Sequence, residues 1–141
     1  GAETGLVPGT FTINAYPKFI CRWVHIRVET AGSPFTSRYR KGEVVKIPIA
    51  HKEGRYEAQA PVIRTLNREG RIAFRFCDEN GLSTPQSNFN GSVEHITGVL
   101  NEQRNVLLMM PHPERACDPL LGGDDGNAIW LSALESMGMP V

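Results

Sequence analysis

Cysteine is scarce here and badly placed for cross-linking. Three occur among 141 residues, at positions 21, 77 and 117, and no C-x-x-C pair exists. An odd, widely spaced set argues against a disulfide frame or a zinc site and for reduced thiols in the cytoplasm. Long apolar runs are missing too. The longest nearly apolar stretch, residues 106–111, is far below the roughly 18 residues of a membrane-spanning helix. No basic stretch followed by an apolar one marks a secretory signal. Net charge is also absent, with 15 Lys+Arg against 15 Asp+Glu. The composition, 40% hydrophobic and 21% charged, suffices for the core of one soluble domain.

The zero net charge conceals an uneven distribution. Residues 18–75 hold 13 basic and five acidic side chains, whereas residues 76–141 hold two and nine. One reading is a basic face for a phosphorylated ligand or an acidic partner. The other is two halves that interleave in space and neutralise each other.

Strand signals dominate the pattern. Residues 19–29 alternate, with Ile20, Val24, Ile26 and Val28 on one face and Phe19, Cys21, Trp23 and His25 on the other. Residues 43–50 place Val45, Ile47 and Ile49 on one face, and Pro48 marks this strand as an edge or a strand end. Residues 71–78 put Ile72, Phe74 and Phe76 inward against Arg71, Ala73 and Arg75 outward. Residues 93–100 and 106–110 complete the set, the second as an apolar run expected to be covered on both faces. Turns are expected at 79–81, 90–91 and 101–105. Two helices are expected, a short one over 61–69 stopped by Gly70 and a stronger one from Asp124 and Asp125 to Met137, closed by Gly138. The first residues read as the end of a helix, with Gly5 as its C-cap and Pro8 as its stop. The expected architecture is a strand-rich α/β unit of five or six strands and two helices.

The stretch N-V-L-L-M-M-P-H-P-E-R (105–115) is the most informative. An apolar strand ends at Pro111 and presents His112 and Glu114, at the strand end where open α/β sheets bind ligands. Residues two apart on an extended backbone share a side, so the two can serve one site. An imidazole with an orienting carboxylate is the pair that activates a Ser or Cys nucleophile. On these three residues alone, a His-Pro-Glu turn at a helix start with no chemistry is the favoured reading.

M-M-P-H-P-E-R-A (109–116) resembles the closing motif of class I glutamine amidotransferases. Further segments resemble the glutaminase subunits of phosphoribosylformylglycinamidine synthase within that family: F-I-C-R-W-V-H-I-R-V-E (19–29), I-P-I-A-H-K-E-G-R-Y (47–56), S-N-F-N-G-S (87–92), I-T-G-V-L-N (96–101) and L-L-G-G-D-D-G (120–126). The resemblance spans nearly the whole chain. It implies an open mixed sheet flanked by helices, of which this strand-rich portion is the C-terminal part. It also implies His112 as general base and acid, Glu114 as its orienter, and His51 and Asn90 as candidates for the glutamine pocket. The family's Asn-Pro-Asn-Gly-Ser loop reads Asn88-Phe89-Asn90-Gly91-Ser92, with its proline replaced.

In that family a Cys in a Gly-x-Cys-x-Gly turn attacks the glutamine amide, and no such pattern occurs here. Cys21 falls mid-strand, Cys77 precedes a turn and Cys117 lacks flanking glycines. Residues 1–141 are thus expected to be one partial amidotransferase domain that begins after the nucleophile elbow. Alone it is expected to be inactive, and ordered only with its missing half or as a self-complementing oligomer. The resemblance implies ammonia delivery to an ATP- and magnesium-dependent synthetase subunit that aminates formylglycinamide ribonucleotide, with a small accessory subunit alongside. No cofactor or metal is expected on this chain. The alternative is a non-catalytic module that docks on the synthetase through the basic stretch 38–75. Nucleic-acid binding is not expected, because Phe74 and Phe76 point inward rather than forming a stacking platform.

Overall fold

A computed structural model describes residues 5–141. The chain forms seven strands and two α-helices: β1 (Thr10–Ile13), β2 (Ile20–Val28), β3 (Val44–His51), β4 (Glu53–Glu57), α1 (Ala60–Arg68), β5 (Ile72–Cys77), β6 (Ile96–Leu100), β7 (Leu107–Met109) and α2 (Asn127–Ser136). Five strands pair in the order β3-β2-β5-β6-β7, and β1 pairs with β4 in a small second sheet. Every pairing among the described residues is antiparallel. No helix among the described residues is long and apolar enough to cross a membrane.

The period-2 pattern of β2 and β3 does what it predicts. Val24, Ile26 and Val28 face Val45, Ile47 and Ile49 in a core that also holds Phe74, Phe76 and Tyr39. β3 lies at the sheet edge, which tolerates Pro48. A second cluster packs Ile63 and Leu66 of α1 against Ile72, Ile96, Val99 and Tyr56. Gly70 stops α1 at φ 60, and Gly138 follows α2 at φ 74, both in the left-handed region that glycine takes without cost.

Several expectations need correction. Ala73 is fully buried, so β5 is covered on both faces rather than alternating. Residues 93–95 form a 3-10 turn, with Glu94 at φ 47 and His95 at φ 62, and only Ile96–Leu100 continues as a strand. The Arg75 guanidinium holds that turn by donating to the Glu94 carbonyl and, at 3.2 Å, to the Glu94 carboxylate. β7 is half-buried and terminates the five-stranded sheet, so its apolar run is not covered on both faces. β1 and β4, which pair with each other, escaped the sequence reading. The helix end expected at the start falls on residues 1–4, outside the described residues, and Gly5 itself has φ 65.

Candidate functional site

The five-stranded sheet is curled, and the segment after β7 bridges its two edges. Met110 N–H donates to the Thr97 carbonyl at 3.0 Å, continuing the β6 side. Two residues on, His112 N–H donates to the Pro48 carbonyl of β3, the opposite edge, at 2.9 Å. His112 therefore sits on the seam where the two edges approach. The chain then turns through a 3-10 turn, Pro113–Arg115. Across that turn His112 Nδ1 lies 2.7 Å from Glu114 Oε1. The pair meets over a tight turn, not over the extended backbone that the spacing suggested. A carboxylate only accepts, so the short contact assigns the proton to Nδ1 and leaves Nε2 as the basic nitrogen. Arg115 Nε stands 3.7 Å from the same carboxylate oxygen. The side chains are partly open, at 30% exposure for His112 and 52% for Glu114. Beside them is a cleft of about 290 Å³ whose walls include Phe35, Met109, Pro111 and Trp130.

His51 ends β3 and is 9% exposed. Its ring belongs to a polar network that the sequence did not reveal. Asn90 Nδ2 donates to the Gly54 carbonyl at 2.7 Å and lies 3.1 Å from His51 Nε2. Asn90 Oδ1 accepts from Ser92 N–H at 3.0 Å and from Ser92 Oγ at 2.8 Å. These partners fix the amide orientation, so Nδ2 faces His51, and Nε2 must accept. The ring is then neutral, with its hydrogen on Nδ1, a buried atom without a hydrogen-bond partner among the described residues. Burial pushes the His51 pKa down to about 4, and a charge on His112 pushes the same way. Asn14 closes the network: Nδ2 donates to the His51 carbonyl at 3.1 Å and Oδ1 accepts from Gly54 N–H at 3.3 Å. Gly54 is required by a close approach, because a Cβ there would stand 2.1 Å from His51 Cδ2. No local sequence pattern flagged Gly54 or Asn14.

None of the three thiols is set up beside His112. Cys21 is exposed on β2. Cys77 is buried, and burial pushes its thiol up to about 11, the reverse of an activated cysteine. Cys117 Sγ lies 3.1 Å from the Pro113 carbonyl, as a donor would.

Part of the basic stretch is held in ion pairs. Arg38 pairs with Glu135, Arg55 with Glu57, Arg71 with Glu69, and Arg75 with Glu94. Two of these partners, Glu94 and Glu135, belong to the acidic half of the sequence, so part of the basic stretch is neutralised by interleaving.

The family model of the CobB/CobQ-like glutamine amidotransferase domain matches residues 2–123. Among curated relatives, phosphoribosylformylglycinamidine synthase subunit PurQ of Methanosarcina acetivorans is 49% identical over 130 residues, covering 92% of this chain and 56% of the relative. The subunit of the same name from Methanocaldococcus jannaschii is 52% identical over 126 residues, covering 89% and 55%. A solved chain from the structure of PurLQS from Thermotoga maritima superposes with a TM-score of 0.80 at 40% identity, covering 96% of this chain and 56% of that one. The chain thus spans about half the length of the relatives it matches.

Proposed function

The chain belongs to the CobB/CobQ-like glutamine amidotransferase domain family, and on that premise we propose that it supplies the His/Glu half of a glutaminase triad. In this reading residues 1–141 are one partial amidotransferase domain of a phosphoribosylformylglycinamidine synthase. The nucleophilic cysteine comes from a segment outside these residues. Its thiolate attacks the side-chain amide carbon of glutamine after His112 Nε2 takes the thiol proton. The C–N bond breaks as His112 returns that proton to the leaving nitrogen, so ammonia departs and a thioester remains. Water, deprotonated by the same Nε2, then releases glutamate and restores the thiol. Glu114 holds the imidazole in the Nδ1–H tautomer and stabilises it when positive. His51 and Asn90 stand as candidate residues of the glutamine pocket, joined to each other through Asn90 Nδ2 and His51 Nε2. The ammonia passes to an ATP- and magnesium-dependent synthetase subunit, with a small accessory subunit in the assembly, in the cytoplasm.

The observation that carries this reading is the 2.7 Å contact between His112 Nδ1 and Glu114 Oε1, beside an accessible cleft. The absence of an activated thiol near His112 supports a nucleophile from elsewhere. In the assembled synthase, His112→Ala is expected to lower glutamine-dependent turnover by about 10²–10⁴-fold and leave ammonia-dependent turnover intact. Equal loss of both would refute the role. The isolated chain should release no glutamate above its own His112→Ala variant.

A further inference from the structure

The loop between Glu114 and α2 carries the L-L-G-G-D-D-G segment (120–126), which no step of the proposed reaction uses. Its last residue, Gly126, is buried in contact with the turn that bears Glu114. Gly126 N–H donates to the Ala116 carbonyl at 2.7 Å. A Cβ on Gly126 would stand 2.2 Å from the Pro113 carbonyl oxygen and 2.8 Å from that of Ala116. These oxygens flank Glu114 in the chain, and one closes its turn: Ala116 N–H donates to the Pro113 carbonyl at 3.0 Å. Gly126 has φ −74, a backbone open to any residue, so close approach rather than conformation calls for glycine here.

Both neighbours of Gly126 are fixed. On one side Asp125 is fastened to β3 and Tyr39: its Oδ2 accepts from Lys46 N–H at 2.7 Å and its carbonyl from the Tyr39 hydroxyl. On the other side α2 begins, fixed by Ile129 in the core and by the fully buried Ser132, whose Oγ accepts from Arg38 N–H at 3.1 Å. His112 is held independently, by its N–H on the Pro48 carbonyl at 2.9 Å. Glu114 is exposed, and its partners His112 and Arg115 lie on its own segment. Its place is set by the turn, and the turn rests on Gly126.

We propose that the Asp125–Gly126 step positions Glu114 against His112, with Asp125 as the anchor and Gly126 as the seat of the turn. The assignment rests on the function proposed above, because it concerns the orienter of that imidazole. A methyl on Gly126 must gain at least 0.8 Å, from 2.2 Å to the 3.0 Å below which Cβ contacts essentially do not occur. With Asp125 and α2 fixed, the turn gives way. Carried to Glu114, that shift widens the 2.7 Å contact with His112 Nδ1 to about 3.5 Å, beyond a good hydrogen bond. The imidazole then loses the partner that sets its tautomer.

The test uses the assembled synthase and reads glutamine-dependent and ammonia-dependent turnover. Gly126→Ala should lower glutamine-dependent kcat by about 10²-fold, as a misplacement near 1 Å does, with KM for glutamine and ammonia-dependent turnover unchanged. Gly123→Ala is the control in the same segment: its Cβ would meet Trp23 at an ordinary 3.6 Å, and it should turn over as wild type. The decisive comparison is made in a Glu114→Ala background, where Gly126→Ala should cost less than about twofold more. A glycine needed only for packing would cost the same factor in both backgrounds, and that result would overturn the proposal. So would wild-type kcat in Gly126→Ala. Should Gly126→Ala fail to assemble, the exposed Asp125 carries the test. Asp125→Ala should lower kcat by about fivefold, the worth of one hydrogen bond, and should add nothing to Glu114→Ala. Asp125→Asn, which keeps an acceptor for Lys46 N–H, should restore it. Wild-type kcat in Asp125→Ala, or a full further loss in the Glu114→Ala background, would then overturn the proposal. His112→Ala at wild-type glutamine-dependent turnover would instead overturn the function proposed above, and the positioning role with it.

Discussion

Replacing Gly54 by alanine isolates the contact that orders the His51 ring. Gly54 is outside the left-handed region of φ, so alanine is compatible with its backbone and the new methyl is the perturbation. That methyl would start 2.1 Å from His51 Cδ2 and 2.5 Å from Nε2. Ordinary contact begins near 3.4 Å, so the ring must retreat by about 1.3 Å. Nε2 now lies 3.1 Å from Asn90 Nδ2, and a retreat of that size ends the hydrogen bond. Forcing a side chain from a packed site costs about 1–3 kcal/mol. Leaving a buried polar group unpaired costs about 1–3 kcal/mol. The sum, about 2–6 kcal/mol, is a large share of the stability of a small domain. Urea unfolding should show a lower midpoint with an unchanged slope. The decisive measurement is the double-mutant cycle: after His51→Ala removes the ring, Gly54→Ala should cost less than about 1 kcal/mol. Additive costs would mean that the glycine is needed for some other reason, and the reasoning from close approach would fall.

The pH dependence of stability follows from the same ring. Its folded pKa, about 4, lies below its ordinary 6.5, so between those values the unfolded chain binds a proton that the folded chain refuses. Stability is therefore complete above about pH 6.5 and declines as pH falls towards 4, by about 3 kcal/mol at 1.36 kcal/mol per pH unit. His51→Ala should flatten that decline, while His95, also lowered by burial and by Arg75 and Arg27, retains a part of the same sign. A decline identical in the variant would contradict the assignment. Phe74 is fully buried and meets Tyr39 edge-on with ring centroids 6.2 Å apart. Phe74→Ala should cost about 3–5 kcal/mol by chemical denaturation, and a cost below 1 kcal/mol would show that the strands around it are not one core.

The elements legible in the sequence are those whose faces differ. β2 and β3 bury one side against the core and expose the other, so a period of two is written into them. β5 hid its burial on both faces because Ala73 and Arg75 are compatible with an outward side. At 93–95 the residues Val, Glu and His suit a strand locally, but Arg75 and Asn67 capture Glu94 from other elements and turn the backbone to positive φ. β4 was illegible because its glycine answers to the His51 ring, which no local pattern contains. The site divides in the same way. His112 and Glu114 are two residues apart and could be paired by inspection. His51 and Asn90 are 39 residues apart, and only the folded loop shows that the amide fixes the tautomer of the ring.

Pro48 explains how separate segments are joined at the edge of the sheet. A proline has no N–H, so it fits the edge strand at a position directed away from β2, where no ladder bond is lost. Its carbonyl is then free on the outer edge, and His112 N–H takes it at 2.9 Å. Two residues earlier on the same edge, Lys46 N–H donates to Asp125 Oδ2 at 2.7 Å, just ahead of α2. Tyr39 adds its hydroxyl to the Asp125 carbonyl. The outer edge of β3 thus fastens the segment that bears His112 and Glu114 at its start and again at Asp125. A strand edge left open would invite another chain. Here His112 and Asp125 occupy that edge, and the imidazole–carboxylate pair is fixed where the curled sheet closes.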